Sequence, residues 1–101
     1  MYYNKENNGG GSVERNIHPV DVIAMHSANG DIRPLRLRME NREHDLVRVD
    51  IDEVVSSKEI QYVGVEARVF LCQGSVEGRK CLFELKYSIR SQSWCLMRRV
   101  Y

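Results

Sequence analysis

The sequence predicts an all-β domain: a six-stranded antiparallel meander curled into a small barrel or roll, behind a flexible N-terminal tail. Three observations predict it. Apolar residues recur at every second position in successive runs, the period of a strand with one buried face. Glycine-containing segments punctuate those runs. A helical reading of 45–59 fails, because its apolar spacing is two and not three or four. Strands with a single apolar face bury it by curling the sheet on itself, and no internal repeat suggests a solenoid or propeller.

Residues 1–16 are rich in Asn and Gly, with Gly9-Gly10-Gly11-Ser12 in the middle. Such a segment buries too little apolar surface to offset the entropy of ordering it, so it reads as a tail, and 17–101 as a single domain. The first hairpin centres on Asn29-Gly30, a pair suited to a tight turn with positive φ. A two-residue loop there sets Val20 opposite Met39, Val22 opposite Leu37 and Ala24 opposite Leu35. On the other face Asp21 meets Arg38, Ile23 meets Arg36 and Met25 meets Pro34. Pro34 has no N–H to give to a ladder, so a kink or a one-sided gap is expected there.

The third strand is carried by Val47, Val49 and Ile51. The preferred register sets Glu40 opposite Arg48, Arg38 opposite Asp50 and Arg36 opposite Asp52, because tighter loops place arginines face to face. Ser56-Ser57-Lys58-Glu59 reads as a loop. Beyond it the apolar phase changes beside Gly64, as a bulge or sharp bend at Val63-Gly64 would cause.

The central hairpin turns through Gln73-Gly74-Ser75-Val76-Glu77-Gly78-Arg79. Its expected pairs are Leu71 with Cys81, Val69 with Phe83, Ala67 with Leu85 and Val65 with Tyr87. The other face then pairs Arg68 with Glu84, Glu66 with Lys86 and Phe70 with Leu82. The last strand, 94–101, has two facings: Trp94 and Leu96 inward, which is preferred, or Cys95 and Met97 inward.

Val22-Ile23-Ala24, then Gly30-Asp31-Ile32-Arg33-Pro34-Leu35, then a late hairpin whose final strand is led by Trp94, resembles a group of short bacterial β-domain proteins of unassigned function. The resemblance spans residues 18–101, with Met39-Glu40 standing where an aromatic residue would be expected. It implies a small barrel-like fold and brings no activity with it.

Composition narrows function. A chain of 101 residues supports one modest core without a metal or disulfide staple. Charged residues make up 29% but cancel to a net +1, so no global field points to nucleic acid or membrane. Three cysteines without close spacing, no signal-peptide pattern and no apolar run of spanning length lead to the expectation of a soluble, cytoplasmic protein.

His18, His26, His44 and the cysteines lack the close ligand pairs of a structural zinc site, so no metal or other cofactor is expected. There is no Gly-x-Ser-x-Gly elbow and no phosphate-binding loop leading into a helix, so no catalytic residue is named and the chain reads as non-enzymatic.

Two surfaces remain. Phe70 and Leu82, paired outward on the central hairpin, begin an apolar patch for a homodimer or a protein partner. Arg33, Arg36, Arg38 and Arg48 are the alternative site, for a nucleic-acid strand: the last three share an outward sheet face with Ile23 and Met25 beside them. That face offers no stacking aromatic, and Asp21, Asp50 and Asp52 stand ready to neutralise it, so protein association ranks first.

Overall fold

The structure is a computed structural model that describes residues 18–100. The expected tail over 1–16 and residue 101 of the last strand lie outside the described residues. The strands are β1 (His18–Pro19), β2 (Asp21–His26), β3 (Ile32–Glu40), β4 (Leu46–Tyr62), β5 (Val65–Val76), β6 (Arg79–Ser88) and β7 (Ser93–Arg99). They form one antiparallel sheet in the order β1-β7-β6-β5-β4-β3-β2, curled into a half-barrel, and there is no helix among the described residues. The all-β antiparallel fold read from the alternation is the one observed, with seven strands in place of the six expected because the first segment divides into β1 and β2.

The first segment is split between the two edges of the sheet. His18 and Pro19 pair with Leu96 and Cys95 of β7, and the Val20 N–H donates to the Trp94 carbonyl at 3.2 Å. From Asp21 onward the same segment pairs with β3. A short stretch of chain thus ties one margin of the curled sheet to the other.

Bulges supply the curvature. β4 pairs with β3 up to Asp50 and with β5 from Asp50 onward. Its ladder to β5 skips Asp52 and Val55, each an extra residue that bends the strand where it passes from one neighbour to the other. Leu35 in β3 and Met97 in β7 are extra in the same way. Leu35 lies beside Pro34, at the kink expected from the missing N–H.

The concave face holds the core: Leu37, Val49, Phe70, Cys72, Cys81, Phe83, Leu85 and Leu96. Trp94 packs against this cluster, so the facing with Trp94 and Leu96 inward is the one adopted.

Several expectations are corrected. Residues 56–59 are strand, not loop, because the bulges in β4 absorb the irregularity in apolar phase. Val63-Gly64 is a two-residue turn between the paired Tyr62 and Val65, not a bulge. Such a turn produces the observed phase change, since residues of opposite parity then face each other.

The β3–β4 register places Arg38 opposite Arg48 and Glu40 opposite Leu46. Asn41 sets this tighter loop: its Oδ1 accepts the N–H groups of Glu43 and Asp45, each at 2.9 Å, and His44 takes φ 65°.

The largest correction is in the central hairpin. Its turn is Glu77-Gly78 alone, with φ of 50° and 81°, so Val69 faces Lys86 rather than Phe83, a shift of three residues. Arg68 consequently faces Tyr87, not Glu84, and Glu66 does not pair with Lys86. Gly74 belongs to the strand, where a Cβ would lie 2.5 Å from the Asp50 carbonyl oxygen and 3.0 Å from the Phe83 ring. Glycine is required there for close packing, not for a loop.

Candidate docking face

The shift in register removes the apolar patch expected at Phe70 and Leu82. Phe70 is 2% exposed, faces Leu85 and packs against the Trp94 ring at 5.6 Å between centroids. Leu82 faces Gln73 on the opposite side of the sheet and is half-buried. The two residues therefore form no joint surface. Their apparent pairing came from counting a seven-residue loop where the chain makes a two-residue turn.

The basic face does form. Arg36, Arg38 and Arg48 lie on the convex side of β3 and β4, with Arg36 beside Ile23 and Arg38 beside Asp21 on β2, as the sequence indicated. Arg33 joins them one row further on, facing Met25. The acids are distributed differently from the expectation. Arg38 Nη2 binds Asp21 Oδ2 at 2.7 Å, Arg48 Nε binds Asp50 Oδ1 at 2.8 Å, and Asp52 goes instead to Lys80 at 3.0 Å and Ser75 at 2.9 Å. The Lys80 bond, with the Ser75 hydroxyl, holds the Asp52 carboxyl below its ordinary pKa.

Arg33 and Arg36 are left with no ion-pair partner among the described residues. Beside them Ile23 is 53% and Met25 44% exposed. Two rows of the convex face, Ile23–Arg36 and Met25–Arg33, thus set an uncommitted cation against an exposed apolar side chain. Sequence reasoning named these arginines and set Ile23 and Met25 beside them, as the structure does. Their exposure follows from a regular alternation whose other phase, Val22 and Ala24, points to the core.

The concave face carries less chemistry. Arg68 emerges there between Tyr87 and Glu59. Its Nη1 donates to the Gly30 carbonyl at 3.2 Å, and its Nε, which makes no hydrogen bond, lies 3.6 Å from Glu59 Oε2. This guanidinium ties the β2–β3 turn to β5. His26 meets Tyr87 edge-on at 6.1 Å, and Tyr87 meets Trp94 at 4.9 Å.

A cavity of about 40 Å³ lies among Leu37, Met39, Val49, Val76, Cys81, Phe83, Leu96 and Arg99. It has room for a few water-sized groups and is far below the roughly 300 Å³ at which cofactor and ligand pockets begin.

Cys81 sits in the core as expected. Cys72, expected on the other face near a loop, is also in the core opposite Phe83, and both are free thiols. Burial pushes the Cys72 thiol up to about 12 and raises Cys81 and Cys95 as well, with Arg99 opposing the shift at Cys81. These environments disfavour the thiolate that a nucleophile or metal ligand requires. Among the described residues no three His, Cys, Asp or Glu side chains converge on a common point.

The fold and its surface define a small antiparallel β half-barrel with an arginine-and-apolar convex face. No protein-family model, curated protein or solved structure matches the chain.

Proposed function

We propose that this chain is a small non-enzymatic interaction module whose docking surface is the convex face of β2 and β3. The observation that carries the reading is the juxtaposition of Arg33 and Arg36, without ion-pair partners among the described residues, with exposed Met25 and Ile23. Arginine beside apolar surface is a common composition of protein interfaces, where a weakly hydrated planar cation can be covered at modest desolvation cost. The strands hold these side chains on a preformed scaffold, which limits the ordering cost of association.

The nucleic-acid reading ranks second on one observation: Phe70, Phe83, Tyr87 and Trp94 belong to the inner face, so none of them offers a base-stacking platform beside the arginines. Two uncommitted guanidinium groups alone make few phosphate contacts, and that affinity falls steeply with salt.

The test is association measured by sedimentation over rising concentration and by cross-linking in the host cell. It compares the wild type with Ile23→Glu/Met25→Glu and with Val63→Glu at the β4–β5 turn. Self-association or partner capture that is lost in the double variant and kept in Val63→Glu supports the docking face. A chain that associates with nothing, or equally well in both variants, overturns it. Micromolar binding of a mixed oligonucleotide near about 150 mM salt, lost on changing Arg33 and Arg36 to Ala, would promote the second reading.

A further inference from the structure

We infer that the partner of this face is an acidic, extended peptide segment that adds to β2 as a further strand. The inference rests on the docking-face reading above and specifies the partner's chemistry. Two features converge on it. The first is the open edge of β2: the strand bonds to β3 on one side, and among the described residues no strand pairs with its other side. Edge strands are ordinarily blunted by charged side chains, especially Lys, by Pro or by a bulge within the strand. Asp21-Val22-Ile23-Ala24-Met25-His26 has no Lys or Pro, its one acid, Asp21, lies at its end and is held by Arg38, and the bulge in this hairpin falls on β3 at Leu35. Alternate residues of this six-residue strand therefore present their backbone N–H and C=O groups to an incoming chain, the others being bonded to β3.

The second feature is charge. Asp21, at one end of β2, is held by Arg38, and Asp31, beyond the other end, is bonded to Asn29 at 3.2 Å. Asp50, which faces Arg36 across the ladder, is held by Arg48. Among the described residues of the β2–β3 face, the positive charge without an ion-pair partner therefore lies on the two middle rows, at Arg36 and Arg33. A strand added to β2 would run roughly 10 Å from β3, two strand spacings away. An arginine and a glutamate side chain together span that distance across Ile23 or Met25. Outward-facing carboxylates of the added strand can thus meet the two guanidiniums while their aliphatic stems cover the two apolar side chains. A basic segment would face the same arginines with like charge.

The experiment uses the full chain and three synthetic octapeptides: alternating Glu-Val, alternating Lys-Val, and the Glu-Val peptide interrupted by a central proline. Binding is read from amide NMR shifts and hydrogen-exchange protection over 21–26. The acidic peptide is expected to bind, to protect β2 amides and to weaken as salt rises. The proline-interrupted peptide should lose at least about tenfold in affinity. Arg33→Glu/Arg36→Glu should lose the acidic peptide and gain the Lys-Val peptide. Should that variant fail to fold by circular dichroism, Arg33→Gln/Arg36→Gln should lose the acidic peptide without gaining the basic one.

Equal binding of acidic and basic peptides overturns the charge assignment, and equal binding of the proline-interrupted peptide overturns strand addition. Binding of none of the three to a chain whose association still depends on Ile23 and Met25 overturns this inference and leaves the docking face standing. A homodimer built through β2 that excludes the acidic peptide likewise overturns it.

Discussion

The two hairpins of this half-barrel answer differently to the same logic. In the β2–β3 hairpin, alternation and turn chemistry were read together, and the pairs Asp21–Arg38, Val22–Leu37 and Ile23–Arg36 are those of the structure. In the β5–β6 hairpin the alternation is as clear, yet the expected register is wrong by three residues. The difference lies in what their glycines do. Near Asn29-Gly30 the loop carries one positive φ, at Gly30, and the Leu35 bulge restores the register that a two-residue loop would have set. Between β5 and β6 there are two glycines. Gly78 makes the turn, whereas Gly74 lets β5 pass close to Asp50 and Phe83. Treating both as loop lengthened the turn and flipped Phe70 from core to surface. A glycine marks either a turn or a close approach, and local sequence does not separate the two.

Mutations sharpen this contrast, and the largest effect belongs to Phe70. As a core side chain opposite Leu85, Phe70→Ala should cost about 3–5 kcal/mol in urea unfolding. An outward Phe70 would tolerate the change within about 0.5 kcal/mol, and that result would restore the longer loop. Gly74→Ala follows. Its Cβ would meet the Asp50 backbone oxygen at 2.5 Å, and overpacking of this kind costs about 1–3 kcal/mol. Were Gly74 in a loop, alanine there would be neutral or slightly stabilising.

Gly78→Ala is expected to cost about 1–2 kcal/mol, since alanine must then adopt φ 81° with open space around it. Asn29→Ala, in the other hairpin, should cost only about 0.5–1 kcal/mol. It removes a bond from the Asp31 N–H to Asn29 Oδ1 at 3.1 Å at a position that needs no positive φ. Equal costs at Gly78 and Asn29 would mean that the two turns are of the same type.

A pH prediction probes the same hairpin from within. Burial raises the folded Cys72 thiol from 9.0 to about 12, so the unfolded chain releases this proton at lower pH than the folded one. The stability it contributes is complete below pH 9.0 and declines as pH rises towards about 12. Unfolding midpoints measured across that window should fall less for Cys72→Ala than for the wild type. An unchanged pH slope would place Cys72 at the surface, where the longer loop had put it.

The candidate site was half legible for a related reason. Arg36, Arg38 and Arg48 could be assigned to one face because strand parity decides facing wherever the register is right, whereas Arg33, of opposite parity, reaches that face only through the Leu35 bulge. The Asp21–Arg38 pair was legible in the first hairpin, whereas the partners of Arg48 and Asp52 were not. Arg38 faces Arg48 across the ladder, so each guanidinium turns to its own carboxylate, Asp21 or Asp50. Asp52, extra at a bulge, is drawn away to Lys80 and Ser75, which leaves Arg36 uncommitted. The tighter β3–β4 register and the bulge at Asp52 together thus redistribute the charges of this face.

By itself the sequence determined the class of the fold, the approximate places of most turns and the inward phase of β2, β6 and β7. Those follow from period-two alternation and local turn chemistry, which act within a few residues. The tertiary structure alone decided the bulges at Leu35, Asp52, Val55 and Met97, and with them the sharing of β4 between two neighbours. It also decided the strand role of Gly74 and the split of the first segment between β7 and β3. The physical reason is that a bulge is selected by how far a sheet must bend to bury its concave face. That curvature is set jointly by all the strands, and no short window of sequence contains it.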